Sequence, residues 1–136
     1  MNHLSKVYVF KILATIVFWC IPLLFFPKEL LQSFGFPNQE TYMFVRMLGW
    51  AYLALCVGYF NGLLASLKGI KLMGPIYVGL VSNSGACLYL LYFALVGTWD
   101  NWGSGIQFIG WSSFVATFFI TLGLYVFGIR GSSESA

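Results

Sequence analysis

Arg46 is the ionisable residue of this sequence whose position within an apolar segment most directly suggests chemistry. A charge there is costly unless it is paired or reaches the membrane interface. Two interpretations stay open. The guanidinium reaches lipid phosphates, or it points inward, where it pairs with an acid or binds an anionic or carbonyl-bearing ligand. The candidate acids are Glu29, Glu40 and Asp100. Lys11 has a similar but weaker claim, because its long stem readily reaches the headgroups.

Amides and hydroxyls within apolar segments are the second kind of candidate. Asn83 lies in a polar run at the centre of the third segment, and its amide would be unsatisfied against lipid, so we expect it to point inward. Ser113 and Thr117 recur at four-residue spacing, which is typical of helix packing and of hydroxyls that bond to their own backbone. If a ligand cavity exists, the sequence predicts that polar and aromatic side chains line it: Arg46, Tyr52, Asn83, Tyr89, Ser113 and Thr117.

Catalytic and cofactor chemistry has little support in the sequence. The one histidine, His3, precedes the first apolar segment, so no Ser-His-Asp set and no bis-histidine haem site can form at membrane depth. Cys20, Cys56 and Cys87 contain no C-x-x-C pair and are expected to behave as small apolar residues, with Cys20 and Cys87 at similar depth. We therefore predict no catalytic residue, no metal ligand and no cofactor.

Four apolar segments must position these candidates: residues 7–26, 42–64, 74–96 and 106–127. A helix rises ~1.5 Å per residue, so about 20 residues cross a hydrocarbon core of ~30 Å. The chain is 60% apolar and 8% charged, whereas soluble domains carry about a quarter charged residues. The sequence predicts an all-α fold, an integral membrane four-helix bundle with antiparallel helices and short loops. Residues 1–136 form a single domain in this interpretation.

The positive charges divide unevenly between the two predicted sides of the bundle. Lys28 and Arg46 lie on one side, and the side that holds both termini carries five: Lys6, Lys11, Lys68, Lys71 and Arg130. By the positive-inside rule, the N- and C-termini are predicted to lie in the cytoplasm, with the protein in an inner or plasma membrane. The formal charge of +3 forms no basic stripe, which argues against nucleic acid as a partner.

Two local features refine the predicted bundle. Pro22 lacks a backbone N–H and is expected to kink the first helix. In the loop over residues 27–41, Leu30, Leu31 and Phe34 can share one face, which favours one or two helical turns in the headgroup region; an irregular loop with buried leucines is the alternative. Aromatic residues near the segment ends predict interfacial belts: Trp19, Tyr42, Trp99 and Trp102 at one end, and Tyr8, Tyr77 and Tyr125 at the other.

Small residues recur every four positions in the second segment, at Ala54, Gly58, Gly62 and Ser66. Such a stripe lets another backbone approach closely, and the partner is either within this chain or on another one. The leading functional hypothesis is a non-catalytic accessory or scaffold subunit. Its partners are membrane lipid and either a second copy or a larger membrane protein. The alternative is a lipid- or quinone-binding protein associated with an oxidoreductase, in which Arg46 and Asn83 contact the polar head.

A short motif at the start of the second segment bears on both hypotheses. The segment Phe44-Val45-Arg46-Met47-Leu48-Gly49-Trp50 resembles the arginine–x–leucine–glycine start of a helix in DoxX-like small membrane proteins. The preceding proline-led loop is similar to that of related four-helix families. The resemblance covers about residues 20–65 and carries over only Arg46 and Gly49. It implies a compact four-helix bundle, sometimes linked to quinone-associated oxidation or to partner complexes.

Overall fold

The computed structural model describes residues 2–36, 38, 42–98, 100–101 and 103–130. Within these ranges the chain is helical and has no strand. It forms four long helices and a short one, namely α1 (His3–Phe25), α2 (Lys28–Ser33), α3 (Met43–Leu67), α4 (Met73–Leu95) and α5 (Ser104–Ile129). Each long helix has the length and apolar composition to cross a membrane. The predicted all-α, four-helix membrane fold is therefore confirmed.

The observed helix ends differ from the predicted segments by one to four residues. The largest difference is at α1, which begins at His3 because the side chain of Asn2 caps it. Asn2 Oδ1 accepts a hydrogen bond from the Ser5 backbone N–H at 2.8 Å, which satisfies one of the donors that every helix start leaves unpaired. Hydropathy does not register such a polar cap, so the first turn was missed.

Pro22 lies within α1, directly after a wider turn of the helix. Residues Ile16–Cys20 form a π-helical turn, in which the Ile21 N–H bonds to the carbonyl of Ile16, five residues back. Such turns are a recognised way for a helix to accommodate an interruption of its hydrogen-bond ladder. The helix then continues as Ile21–Phe25.

The four long helices follow one another around the bundle in the order α1, α3, α4, α5, and each packs against two neighbours. Glycines allow the close approaches. A Cβ at Gly79 would lie 2.5 Å from Leu124 Cδ1, and one at Gly123 would lie 2.8 Å from Val7 Cγ2. In a membrane, small residues at helix contacts are what let dispersion forces hold helices together.

The outward surface of the bundle is apolar along its length. Large side chains such as Val81 and Leu95 are about three-quarters exposed, at 75% and 77%. In water such a surface would be an aggregation hazard, whereas lipid tails solvate it without cost. The composition and the exposed surface thus agree on a bilayer as the solvent.

One end of the bundle holds residue 2, the turn between α3 and α4 and residue 130; we call it the termini end. There a polar cluster of the exposed Asn2 and the buried Ser5 and Ser66 joins the start of α1 to the end of α3. Ser5 Oγ and Ser66 Oγ lie 2.9 Å apart, and both donate to Asn2 Oδ1. Asn2 Nδ2 in turn donates to the Ser66 carbonyl at 2.9 Å. The cluster pins the first turn of α1 against its neighbour.

The predicted small-residue stripe is divided between two environments. A Cβ at Gly62 would lie 2.9 Å from Tyr8 Cζ, and Ser66 belongs to the polar cluster, so this half packs within the chain. Ala54 and Gly58 are exposed, and no atom lies within 4 Å of a Cβ built at Gly58.

The opposite end, which we call the far end, carries α2 and the turn between α4 and α5. The predicted helical turns are confirmed as α2, with Leu31 fully buried. Gly35 follows in the left-handed region (φ 95°), where a side chain would be strained and its Cβ would lie 2.5 Å from the Gly103 nitrogen. The Ile106 N–H donates to the Phe34 carbonyl at 3.1 Å, which ties this loop to the start of α5.

The aromatic belts differ from the prediction in part. Tyr77 and Tyr125 are exposed as expected, at 55% and 53%. Tyr8 is buried in the core against Leu4, Tyr59, Ile76, Ile120 and Leu124. Tyr42 is also buried, and Trp19 turns into the bundle. Gly62 leaves room for the Tyr8 ring, which would lie 2.9 Å from a Cβ at that position. Trp99 and Trp102 lie outside the described residues.

Candidate functional site

A polar cavity of about 290 Å³ lies inside the bundle, between all four long helices. Each helix contributes at least one polar side chain to its wall: Lys11 and Thr15 from α1, Tyr52 and Tyr59 from α3, Ser82 and Asn83 from α4, and Ser113 and Thr117 from α5. Polar groups that converge in a concave, otherwise apolar site are the usual mark of a ligand pocket.

Lys11 places a buried amine in this cavity. The residue is 3% exposed, and its Nζ lies 4.1 Å from the centroid of the Tyr59 ring, within the range of a cation–π contact. The expectation that the Lys11 stem reaches the headgroups is therefore wrong. Residue 14 is the midpoint of His3–Phe25, so Lys11 lies about 4.5 Å from the middle of α1 at a rise of ~1.5 Å per residue.

The other polar groups around this cavity differ in whether they already have a hydrogen-bond partner within the protein. Asn83 Nδ2 donates to the Gly79 carbonyl at 2.6 Å, and Thr117 Oγ1 donates to the Ser113 carbonyl at 2.8 Å. Tyr59 Oη and Ser82 Oγ lie 3.0 Å apart. Ser113 differs: it is 3% exposed, and its hydroxyl has no hydrogen-bond partner within the described part of the chain.

An apolar cavity of about 340 Å³ adjoins the polar one on the side of the far end. The two cavities share walls formed by Trp19, Tyr52, Ala86 and Leu90. The rings of Trp19 and Tyr52, whose centroids are 5.4 Å apart, stand at this boundary. Beyond them the lining is almost entirely hydrocarbon and aromatic, and it extends to Phe36 in the loop after α2. The two neighbouring cavities thus differ in character, one carrying the polar groups and the other almost none.

The structure brings together five of the six predicted ligand-binding residues. Tyr52, Asn83, Ser113 and Thr117 line the polar cavity, and Tyr89 lines the apolar one. Their role in ligand binding stays a prediction.

Arg46 is the sixth predicted residue, and it lines neither of the two cavities. Its Nη1 donates to the carbonyl of Leu23 at 2.7 Å, and its Nη2 donates to the carbonyl of Phe26 at 2.5 Å. Backbone carbonyls were absent from the partners considered from the sequence. One of those considered partners, Glu40, lies outside the described residues. The observed contacts join the start of α3 to the end of α1.

Sequence reasoning missed three residues that shape the cavities: Lys11, Trp19 and Tyr59. The sequence predicts Lys11 at the membrane surface and Trp19 in an aromatic belt. A signal was available for Lys11, since a lysine five residues inside an apolar segment is costly unless the interior receives it. Tyr59 carries a weaker signal, because its hydroxyl needs a partner at membrane depth while its ring suits lipid and core alike.

The cysteines are free, and the closest relationship among them differs from the expectation. Cys20 and Cys56 interact with each other across α1 and α3, both of them buried. Cys87, expected at the depth of Cys20, is half-buried on α4 and lines a groove with Phe118 and Tyr125. Similar depth in the sequence did not identify the neighbour, because depth says nothing of which way a helix face points.

Comparisons with known proteins give no relative from which a role could be transferred: no protein-family model, no curated protein and no solved structure matches the chain. The resemblance to DoxX-like proteins therefore stays a hypothesis.

Proposed function

We propose that this chain binds one membrane-soluble molecule with an apolar tail and a hydrogen-bond-accepting head, of the lipid or quinone class. The observation that carries the proposal is Ser113, which is 3% exposed and lines the same cavity as Lys11, and whose hydroxyl has no partner within the described residues. A buried donor without a partner costs free energy, and a bound acceptor removes that cost. The adjoining apolar cavity offers a place for the tail.

The dimensions of the site agree with this function. Ligand pockets commonly enclose about 300–1,000 Å³ and combine apolar walls with a few placed polar groups. Each cavity alone lies at the lower end of that range, at about 290 and 340 Å³. A single molecule that extends through both, past Trp19 and Tyr52, uses the polar and the apolar walls together.

Native mass spectrometry of the chain released from mild detergent tests the proposal. We expect one retained lipid or quinone per folded chain, with occupancy reduced in Ser113→Ala. Ser84→Ala is the matched control, because the Ser84 hydroxyl bonds to its own helix at Val81 and the residue lies outside both cavities. A folded chain that retains no such molecule, and that takes up none from a lipid extract or a quinone mixture, overturns the proposal.

An accessory or scaffold role is the second candidate. The exposed half of the stripe favours it, because Gly58 leaves open space against which another backbone can pack. Disulfide crosslinking of Gly58→Cys in native membranes tests self-association, with Val81→Cys as a control at an exposed position on α4. We expect crosslinked dimers of Gly58→Cys and not of Val81→Cys. Equal crosslinking of the two variants, or none in either, argues against an interface at Gly58.

The proposed orientation has both termini in the cytoplasm of the cell, in an inner or plasma membrane. Lys11 is buried inside the bundle and Arg46 bonds to the last carbonyls of α1, so the remaining charges at the helix ends carry the argument. One of these positively charged residues, Lys28, lies at the far end, and four lie at the termini end: Lys6, Lys68, Lys71 and Arg130. By the positive-inside rule, the end with more positive charges is expected to face the cytoplasm. A C-terminal reporter active only outside the cytoplasm is expected to be inactive, and activity contradicts the orientation.

A further inference from the structure

We propose that the head of the bound molecule is a carboxylate, held by Lys11 and Ser113, on a single long acyl chain whose tail occupies the apolar cavity. This inference rests on the proposed binding function and names its ligand class: a long-chain fatty acid or a similar monoanionic amphiphile. It is argued from the charge of the polar cavity, from its uncommitted donors and from the shape of the space beyond them.

The charge of the cavity is the first step. Lys11 is 3% exposed near the middle of α1. The acids within the described part of the chain, Glu29 and Asp100, lie at the far end, and neither lines the cavity. The Tyr59 ring offers an ammonium a cation–π contact but no opposite charge. Because a buried amine keeps its proton only where the charge is paired, a monoanionic ligand supplies the counter-ion that the helices lack.

The available donors are the second step. Thr117 gives its hydroxyl hydrogen to helix carbonyls, and Asn83 donates to the Gly79 carbonyl. Of the buried side chains that line the cavity, Lys11 and Ser113 are those whose donors have no hydrogen-bond partner among the described residues, and the less buried Thr15 and Tyr52 add further hydroxyls to its wall. An ionised carboxylate is an acceptor with two oxygens, so it can receive both donors and neutralise the charge. A quinone or an ester carbonyl accepts hydrogen bonds but leaves the charge uncompensated.

The space beyond the head is the third step. The polar cavity lies near the midpoints of the helices, since Asn83 is one residue from residue 84, the middle of Met73–Leu95. A phospholipid head is strongly hydrated and bulky, and it belongs at the membrane surface. A carboxyl group is small enough to enter, and the cavity beyond Trp19 and Tyr52 offers room of about 340 Å³ for one chain. These features select a single-chain amphiphile.

Four probes with different heads test the inference on the delipidated chain in phospholipid nanodiscs: palmitate, hexadecanol, methyl palmitate and a short-chain ubiquinone. Binding is measured by native mass spectrometry in competition. Charged hydrogen bonds are the strong ones, so we expect palmitate to bind at least about tenfold more tightly than hexadecanol or methyl palmitate. Lys11→Met is expected to abolish that preference and Lys11→Arg to keep it. Lys6→Met, an exposed lysine on the same helix, leaves it unchanged.

The outcomes separate this inference from the function on which it rests. Equal binding of palmitate and hexadecanol, or tighter binding of the quinone, overturns the assignment of a carboxylate head and leaves the proposed binding function unaffected. Absence of binding for all four probes, together with no retained native molecule, overturns both. Because the comparison among heads is made on the unsubstituted chain, the result does not depend on whether a variant folds. Reduced palmitate binding in Ser113→Ala supports the assigned contact.

Discussion

Arg46 donates a hydrogen bond to the backbone carbonyl of Leu23, at 2.7 Å, because the residue four positions after Leu23 is a proline. In a continuing helix the carbonyl of Leu23 would accept the N–H of residue 27, and Pro27 has none. The second guanidinium bond goes to Phe26, the last residue before that proline. A cation at a helix C-terminus is also favoured by the helix dipole. Arg46, which lies on α3, thus supplies hydrogen-bond donors to the carbonyls at the end of α1.

Removal of this guanidinium is expected to destabilise the chain. Arg46→Met leaves a partly buried carbonyl without its donor, a loss of about 1–3 kcal/mol in the free energy of unfolding. Arg46→Lys is expected to lose less stability than Arg46→Met, because the lysine ammonium can still donate to a carbonyl but lacks the planar, forked geometry of the guanidinium. Thermal unfolding in detergent measures both. Lys28→Met, at an exposed position near the same end, is the control and should change little.

A double-mutant cycle tests the stated reason. In a Pro27→Ala background residue 27 regains an N–H, so Arg46→Met should cost less than it does beside the proline. An equal cost in both backgrounds would show that Pro27 is not why Arg46 matters.

The two glycines of the small-residue stripe should respond differently to the same substitution. A Cβ at Gly62 would lie 2.9 Å from both Pro75 Cβ and Tyr8 Cζ, so Gly62→Ala is expected to lose about 1–3 kcal/mol through overpacking. Gly58 has no neighbour within 4 Å of its Cβ position; Gly58→Ala should be neutral or gain up to about 1 kcal/mol in helix propensity. Unfolding midpoints of the two variants decide, and a similar loss at both positions would point to a partner on Gly58.

The polar cluster at the termini end should contribute measurable stability. Ser66→Ala removes its contacts with Ser5 and Asn2, and hydrogen bonds between membrane helices are worth about 0.6–1.7 kcal/mol. Ser84→Ala serves as the matched control, since that hydroxyl bonds within its own helix. Unfolding in mixed detergent micelles compares the two. Equal effects would indicate that the cluster does not hold α1 against α3.

Lys11 is expected to oppose stability in the absence of ligand. Its amine is buried without a carboxylate beside it, so Lys11→Met should stabilise the delipidated chain by roughly 0.5–2 kcal/mol, as substitutions that remove a functional strain often do. Lys6→Met, at an exposed position, should show no such gain. Thermal unfolding after delipidation is the measurement. A less stable Lys11→Met would mean that the contact with Tyr59 is a structural one.

Much of the candidate site was predictable, and the part that was not has a common cause. Asn83 is expected to face inward because lipid cannot satisfy its amide, Ser113 and Thr117 are candidates by their helix-packing spacing, and all three line the polar cavity. Lys11 was assigned to the surface because a long stem can in principle reach the headgroups. The direction it takes depends on the ring of Tyr59, which is distant in sequence and brought near by the packing of α3 against α1.

The sequence by itself determined that the chain is a bundle of four membrane-length helices, because segment length and hydropathy are local properties that a bilayer reads directly. Only the tertiary structure decided which faces of those helices meet. That placed Arg46 on the carbonyl of Leu23, set Cys20 against Cys56, divided the small-residue stripe, and enclosed Lys11 and Ser113 in one cavity. The physical reason is that lipid solvates every apolar face equally well, so the rotation of each helix is chosen by close packing and by the few polar groups that need partners.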